Sequence, residues 1–198
     1  MSEQKQVRGR KKSEPPKVEK TKVKDKTVEA TPKAQEKMEE SKLELLCIIR
    51  VRGSVHVRQD ILDTMKMLNL HHINHATLVP NTPQYQGMIS KVQSYVTYGS
   101  IDRKTLSDLI TKRARITGNK KLSDEFVKEN SDFKSIKEFE DAIFSGKSNL
   151  RAVRGLKPVF RLHSPKGGHK GTIKKSRKEG GILGNVQSEI NEFLKRMI

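Results

Sequence analysis

From Leu43 to Val51 the chain is apolar almost without interruption (LELLCIIRV), and its β-branched residues predict a central strand that Gly53 ends. Over Arg58–Leu70 the pattern changes period. Ile61, Met65 and Leu68 recur at helical spacing with Leu62 beside them, which predicts an amphipathic helix. Ala76–Val79 is a short second strand stopped by Pro80. A helix start follows, with Thr82 as N-cap and Pro83 at the first helical position, where its missing N–H costs nothing. Tyr85, Met88, Ile89 and Val92 then fall at i, i+3, i+4 and i+7. Ser94–Ile101 alternates and is rich in Tyr, Val and Thr, so it reads as a third strand. The order is β-α-β-α-β with short connections, and the two helices are expected on one face of a small sheet. The fold class is α+β.

Beyond Asp102 the pattern is helical through residue 150. Leu106, Leu109 and Ile110 mark one helix expected to end near Gly118. Leu122, Phe126 and Val127 mark a short second, and Ile136, Phe139 and Ile143 a third. Val186, Ile190, Phe193, Leu194 and Met197 predict an amphipathic helix over 186–198 that docks on the body. Residues 151–185 lack a clear period and read as a long glycine-rich loop, a feature that an ordering partner would explain. Residues 1–42 hold Pro15, Pro16 and Pro32 and almost no large apolar side chains. They read as a Lys-rich arm, disordered when free. The expected organisation is therefore an arm (1–42), a core (43–101), a helical extension (102–150), a basic loop (151–185) and a closing helix.

Charge sharpens this picture. The 198 residues carry 41 Lys and Arg against 23 Asp and Glu, a net +18, which calls for a polyanionic partner. Residues 151–181 alone hold ten basic and one acidic side chain, half of the net charge, interspersed with six glycines. Glycine permits close backbone approach while the cations meet phosphates. Residues 122–145 are the opposite, with seven acidic and three basic side chains, a poor surface for RNA. Aromatics make up 5% and Trp is absent, so stacking on single-stranded bases is not expected as the main mode of binding. A single cysteine excludes a disulfide within the chain, and no apolar run approaches the ~18 residues of a membrane span. The chain is expected to be soluble and cytoplasmic, with no membrane partner.

Catalytic signatures fail on inspection. Gly146-Lys147-Ser148 resembles the end of a phosphate-binding loop, but the glycine needed five residues earlier is Asp141. His71, His72 and His75 form a cluster without a nearby carboxylate or thiol to complete a metal site. Gly167-Gly168-His169-Lys170-Gly171 lacks the strand-loop-helix frame of a nucleotide site. Cys47 lies inside an apolar strand, where it acts as a small hydrophobe. Glu179 is the sole acid among residues 151–181, too little for metal-assisted phosphoryl chemistry. Neither an enzyme, a cofactor nor a small-molecule substrate is expected.

The phosphate-binding features are more coherent. Arg50, Arg52 and Arg58 bracket the turn at Gly53. The Thr82–Pro83 helix start offers free N–H groups to an anion. Arg151, Arg154, Lys157 and Arg161 lead into the glycine-rich stretch, and Lys174, Lys175, Arg177 and Lys178 leave it. Each lysine alone could be a solvated charge; the cluster is expected to contact RNA.

Several blocks also resemble a known family. IIRVRG (Ile48–Gly53), LNLHHINHATLVPNTPQYQGMISKV (Leu68–Val92) and YVTYG (Tyr95–Gly99) resemble the large-subunit ribosomal protein family numbered thirty in bacteria and archaea and seven in eukaryotes. FRLHSPKGGHKG (Phe160–Gly171), EGGILGN (Glu179–Asn185) and INEFLKRM (Ile190–Met197) resemble its longer archaeal and eukaryotic form. The resemblance spans about residues 43–198. It implies an antiparallel, ferredoxin-like βαβαβ core. It also implies a place in the large ribosomal subunit, bound to its rRNA in a neighbourhood that includes 5S rRNA and other ribosomal proteins. By position it adds His75, Gln84, Gly87, Lys91, Lys166, Gly167, Gly168, His169, Lys170 and Gly171 to Arg50, Arg52 and Thr82 as candidate RNA contacts. The rival classes are a non-ribosomal RNA or DNA binder, such as an rRNA-processing factor, and an RNA-acting enzyme.

Overall fold

The computed structural model describes residues 44–198; the expected N-terminal arm lies outside the described residues. Strand β1 (Leu45–Arg50) pairs antiparallel with both β2 (His75–Pro80) and β3 (Val96–Ser100). Ile48 faces Thr77 on one side and Tyr98 on the other, which makes β1 the interior strand expected from its apolar run. Helix α1 (Gln59–Met67) joins β1 to β2, and α2 (Pro83–Val92) joins β2 to β3. The antiparallel βαβαβ core is therefore present.

Alternate residues of β1 feed two separate cores. Leu46 and Ile48 pack with Met65, Leu68, Ile89 and Val92 beneath α1 and α2. Cys47 and Ile49 face the other way, onto α3 (Arg103–Arg113), α5 (Ile136–Phe144) and α6 (Glu189–Met197). Leu106, Phe139, Ile143 and Leu194 fill that side. The sheet is thus the middle of three layers, and a strand covered on both faces has no polar alternation to show. Helix α4 (Asp124–Asn130) and α5 each start at a serine whose hydroxyl accepts a backbone N–H, from Phe126 to Ser123 and from Glu138 to Ser135.

Two expectations need correction. The helix expected to run toward Gly118 ends at Arg113. Ala114 turns extended, and Ile116 is buried in a bridge to Leu156, so tertiary pairing overrides helical propensity there. The stretch 151–185 is also not an irregular loop throughout. Phe160–Arg161 forms β4 along the free side of β2, while β5 (Thr172–Ser176) and β6 (Gly181–Asn185) extend the other side. The full order is β4-β2-β1-β3-β6-β5, with β6 parallel to β3. Buried Leu150, Val153, Leu156, Phe160, Ile182 and Leu183 anchor the segment between its cations.

Close contacts lock this ribbon and α6 to the core. Thr97 donates its hydroxyl to the Ile182 carbonyl at 2.6 Å. Gly99 lies so near the strand-to-helix link that a Cβ would come 2.1 Å from the Gln187 carbonyl oxygen. Buried Asn191 on α6 accepts from the Asp102 N–H at 2.9 Å and donates to the carbonyls of Ser100 and Ser188. Val186, expected inside the last helix, precedes it and packs against the same core.

Candidate nucleic-acid interface

The sheet order divides the basic segment in two. Arg161 lies on β4 at one margin, with Arg151, Arg154 and Lys157 in the turns that lead to it. Lys174 and Lys175 lie on β5 at the opposite margin, with Arg177 and Lys178 in the short helical turn that follows. Five strand spacings separate the margins, about 24 Å. All of these side chains are exposed except Lys157, which is half-buried. The sequence presented them as one patch; the fold makes two.

Between the margins, Lys166–Gly171 runs along α6. The Lys166 N–H donates to the Arg196 carbonyl at 3.0 Å, and the Arg196 guanidinium donates to the Gly168 carbonyl at 2.9 Å. Gly167 and Gly168 both adopt positive φ (75° and 73°), a conformation that side chains with a Cβ rarely take. His169 rests on the Phe193 ring with centroids 5.5 Å apart, and burial, helped by Arg196, lowers its pKa. Lys170 is ion-paired with Glu192, as Arg177 is with Glu189. Pairs this exposed contribute little and exchange readily for phosphate.

Two candidates turn inward. Arg50 is 2% exposed. Its guanidinium donates to the carbonyls of Arg52, Leu70 and His71 and to the Ser54 hydroxyl, at 2.6–2.9 Å. Those bonds close the β1–α1 and α1–β2 connections on each other, so its work is internal. His75 is 8% exposed, and its ring meets His72 edge-on at 5.1 Å. Burial, reinforced by neighbouring His72 and Arg161, pushes its pKa down to about 4. At neutral pH it carries no charge to offer a phosphate. Arg52 does reach the surface, stacked 4.9 Å from the Tyr95 ring and donating to the Ser94 carbonyl. Arg58 is exposed and paired with Asp60 at 3.0 Å.

Helix α2 carries the remaining candidates. Thr82 caps it by accepting from the Tyr85 N–H at 3.4 Å. Gln84, Gly87 and Lys91 form one exposed stripe at spacings of three and four. Among the described residues a Cβ at Gly87 would meet nothing within 4 Å, so none of them requires glycine there. Glycine within a helix costs about 1 kcal/mol relative to alanine, which fits a surface kept bare for an external partner. Gly87→Ala is expected to stabilise the free protein by about 0.5–1 kcal/mol and to weaken RNA binding. Thermal melts and filter binding check both halves, and unchanged affinity would remove this stripe from the interface.

The structure also brings together groups that the sequence kept apart. Gln84 and Arg151 line one cleft of about 460 Å³ beside β2. Ser94 lies beside Lys174, Arg177 and Lys178 in a groove of about 610 Å³. Tyr98 and Asn185 also line this groove and were not among the sequence candidates, since uncharged polar residues on separate strands give no local signal.

The acidic stretch is largely used within the protein. Asp124 accepts from the Ile136 N–H, Glu138 from the Lys134 N–H, and Asp141 pairs with Arg103. Among the described residues no three His, Cys, Asp or Glu side chains come together to hold a metal. Cys47 is fully buried, and desolvation pushes its thiol up to about 12, far from nucleophilic use. Gly146 follows α5 at positive φ (73°), which makes Gly146–Ser148 a helix-ending turn rather than a phosphate loop.

Fold and charge together define a small basic α+β scaffold with an antiparallel βαβαβ core and exposed cations at both margins of its sheet. Comparison with known proteins narrows that class. Residues 46–96 match the family model described as ribosomal protein L30p/L7e. The large ribosomal subunit protein uL30 of Methanoregula boonei is 48% identical over 154 residues, 77% of this chain and 99% of that protein. Its counterpart from Methanocorpusculum labreanum is 45% identical over 153 residues, again 77% and 99%. That from Methanococcus maripaludis is 47% identical over 152 residues, 76% and 97%. The chain belongs to the L30p/L7e family of ribosomal proteins, as its sequence blocks indicated.

Proposed function

We propose that this protein is a structural, non-catalytic constituent of the large ribosomal subunit in the cytoplasm, where it binds and stabilises rRNA. The exposed cations at the two sheet margins carry the reading, because among the described residues acid side chains answer few of them and phosphates can answer the rest. The contact set comprises Arg52, Arg58, the Thr82–Lys91 face of α2 and the two margins, with Lys166–Gly171 between them. The neighbourhood includes 5S rRNA and adjoining ribosomal proteins. Paired RNA hides its base edges, so recognition rests on backbone shape, phosphates and 2′-hydroxyls.

Filter binding to transcribed large-subunit rRNA tests this. With about six phosphates neutralised, affinity is expected to fall roughly a thousandfold between 50 and 200 mM salt. A flat salt response, or failure to co-sediment with large subunits, would overturn the reading. Duplex DNA of equal length should compete poorly, since a reader of A-form shape discounts B-form geometry.

A further inference from the structure

The groove that holds Ser94 and the β5 cations does not end there. A second groove of about 640 Å³ opens beside it, and Tyr98 and Asn185 line both. Through these shared residues the two form one channel beside α2. Helix α2 makes one wall through Gln86 and Ser90, continued by its C-cap Gln93, at spacings of four and three. This face is distinct from the Gln84–Gly87–Lys91 stripe. From Gln86 to Gln93 the channel follows α2 and its cap for about 10 Å.

Its chemistry is graded along that length. At the end beside β5, the wall is Lys174, Arg177 and Lys178, opposed there by Glu179 alone. Lys174 and Lys178 enter no ion pair among the described residues, whereas Arg177 is shared with Glu189. Toward the other end the lining turns to uncharged amides and hydroxyls, including Gln86, Ser90, Ser100, Asn185 and Gln187, with Glu44 at the rim. Half-buried Tyr98 lies on the floor between the two ends. The cations suit a phosphate, and the aromatic ring and amides beyond them suit the face and the polar edges of a base.

We propose that this channel takes one unpaired nucleotide of the bound RNA, its phosphates against Lys174 and Lys178 and its base among the amides beside Tyr98. The assignment rests on the rRNA-binding reading above and specifies where a single-stranded element enters. A duplex turns its base edges inward and leaves the amides unanswered, whereas a splayed base can stack and hydrogen-bond on its free edges. Neutral amides discriminate among bases, and a peptide of basic character would be repelled at the β5 end. The contact is one nucleotide within an interface that phosphates otherwise dominate.

Ser90 is exposed on the α2 wall, so Ser90→Glu places a negative charge in the channel without disturbing either core. Binding to transcribed large-subunit rRNA is expected to weaken about tenfold, whereas neutral Ser90→Gln should stay within about threefold of wild type. A photoreactive benzophenone side chain at position 86 should crosslink to an unpaired nucleotide of the same RNA. Wild-type binding that Ser90→Glu leaves unchanged would overturn the channel and spare the rRNA reading. Crosslinks confined to paired RNA, to another ribosomal protein in reconstituted subunits, or to residues 1–42 of this chain would also overturn it. Absence of wild-type binding would defeat the rRNA reading itself.

Discussion

Replacing Lys174, Lys175, Arg177 and Lys178 together by alanine is expected to cut rRNA affinity by on the order of a thousandfold near 150 mM salt. Each phosphate left without its cation should lower the log–log salt slope by about one, so the slope should fall by about four. Thermal unfolding should barely move. All four side chains are exposed, and the one ion pair they form among the described residues, Arg177 with Glu189, is of the exposed kind that contributes little. The diagnostic is the combination of much weaker binding, a shallower slope and an unchanged melt. A variant that melts normally and binds as tightly as wild type would remove the β5 margin from the interface.

The second large effect concerns stability. Phe160 is 1% exposed and fills the core between the sheet and its helical extension, although it sits in the most basic part of the chain. Phe160→Ala is expected to cost about 3–5 kcal/mol, because apolar burial is forfeited and a cavity is left behind. Against a total stability of about 5–15 kcal/mol for a domain, that fraction is large. Chemical denaturation should show the midpoint falling with little change in slope. A cost under about 1 kcal/mol would mean that β4 is not held as the structure has it. RNA affinity of the folded fraction should suffer far less than in the quadruple variant.

These two variants sit fourteen residues apart and act on different properties, which shows how far the sequence could be read. The first three strands and two helices were legible because each had its own local signal. Periodicity marked α1 and α2, the Thr82–Pro83 pair marked a helix start, and the unbroken run at Leu45–Arg50 marked an interior strand. The signal failed where structure depends on distant partners. Two-residue β4 and five-residue β6 owe their form to pairing with β2 and β3, some eighty residues away, and cations flanking Phe160 masked its apolar anchor. For the candidate site, charge singled out residues 151–181 without showing that the sheet would divide them. Arg50 and His75 illustrate the converse. Chemistry suited to RNA appears at both positions, yet burial assigns Arg50 to bracing two turns and leaves His75 neutral.

On the proposed RNA-binding reading, the divided charge also sets how tightly the two margins hold their target. A stiff sheet with cations at either margin acts as a ruler about 24 Å long. Once one margin is engaged, a strand of matching reach meets the other at an effective concentration of order millimolar, so the second end closes quickly. Release requires both ends to let go within the same interval, which makes residence long although each end alone is weak. On the proposed reading, RNA that spans the two margins is thereby held at fixed spacing, and the protein would act as a staple.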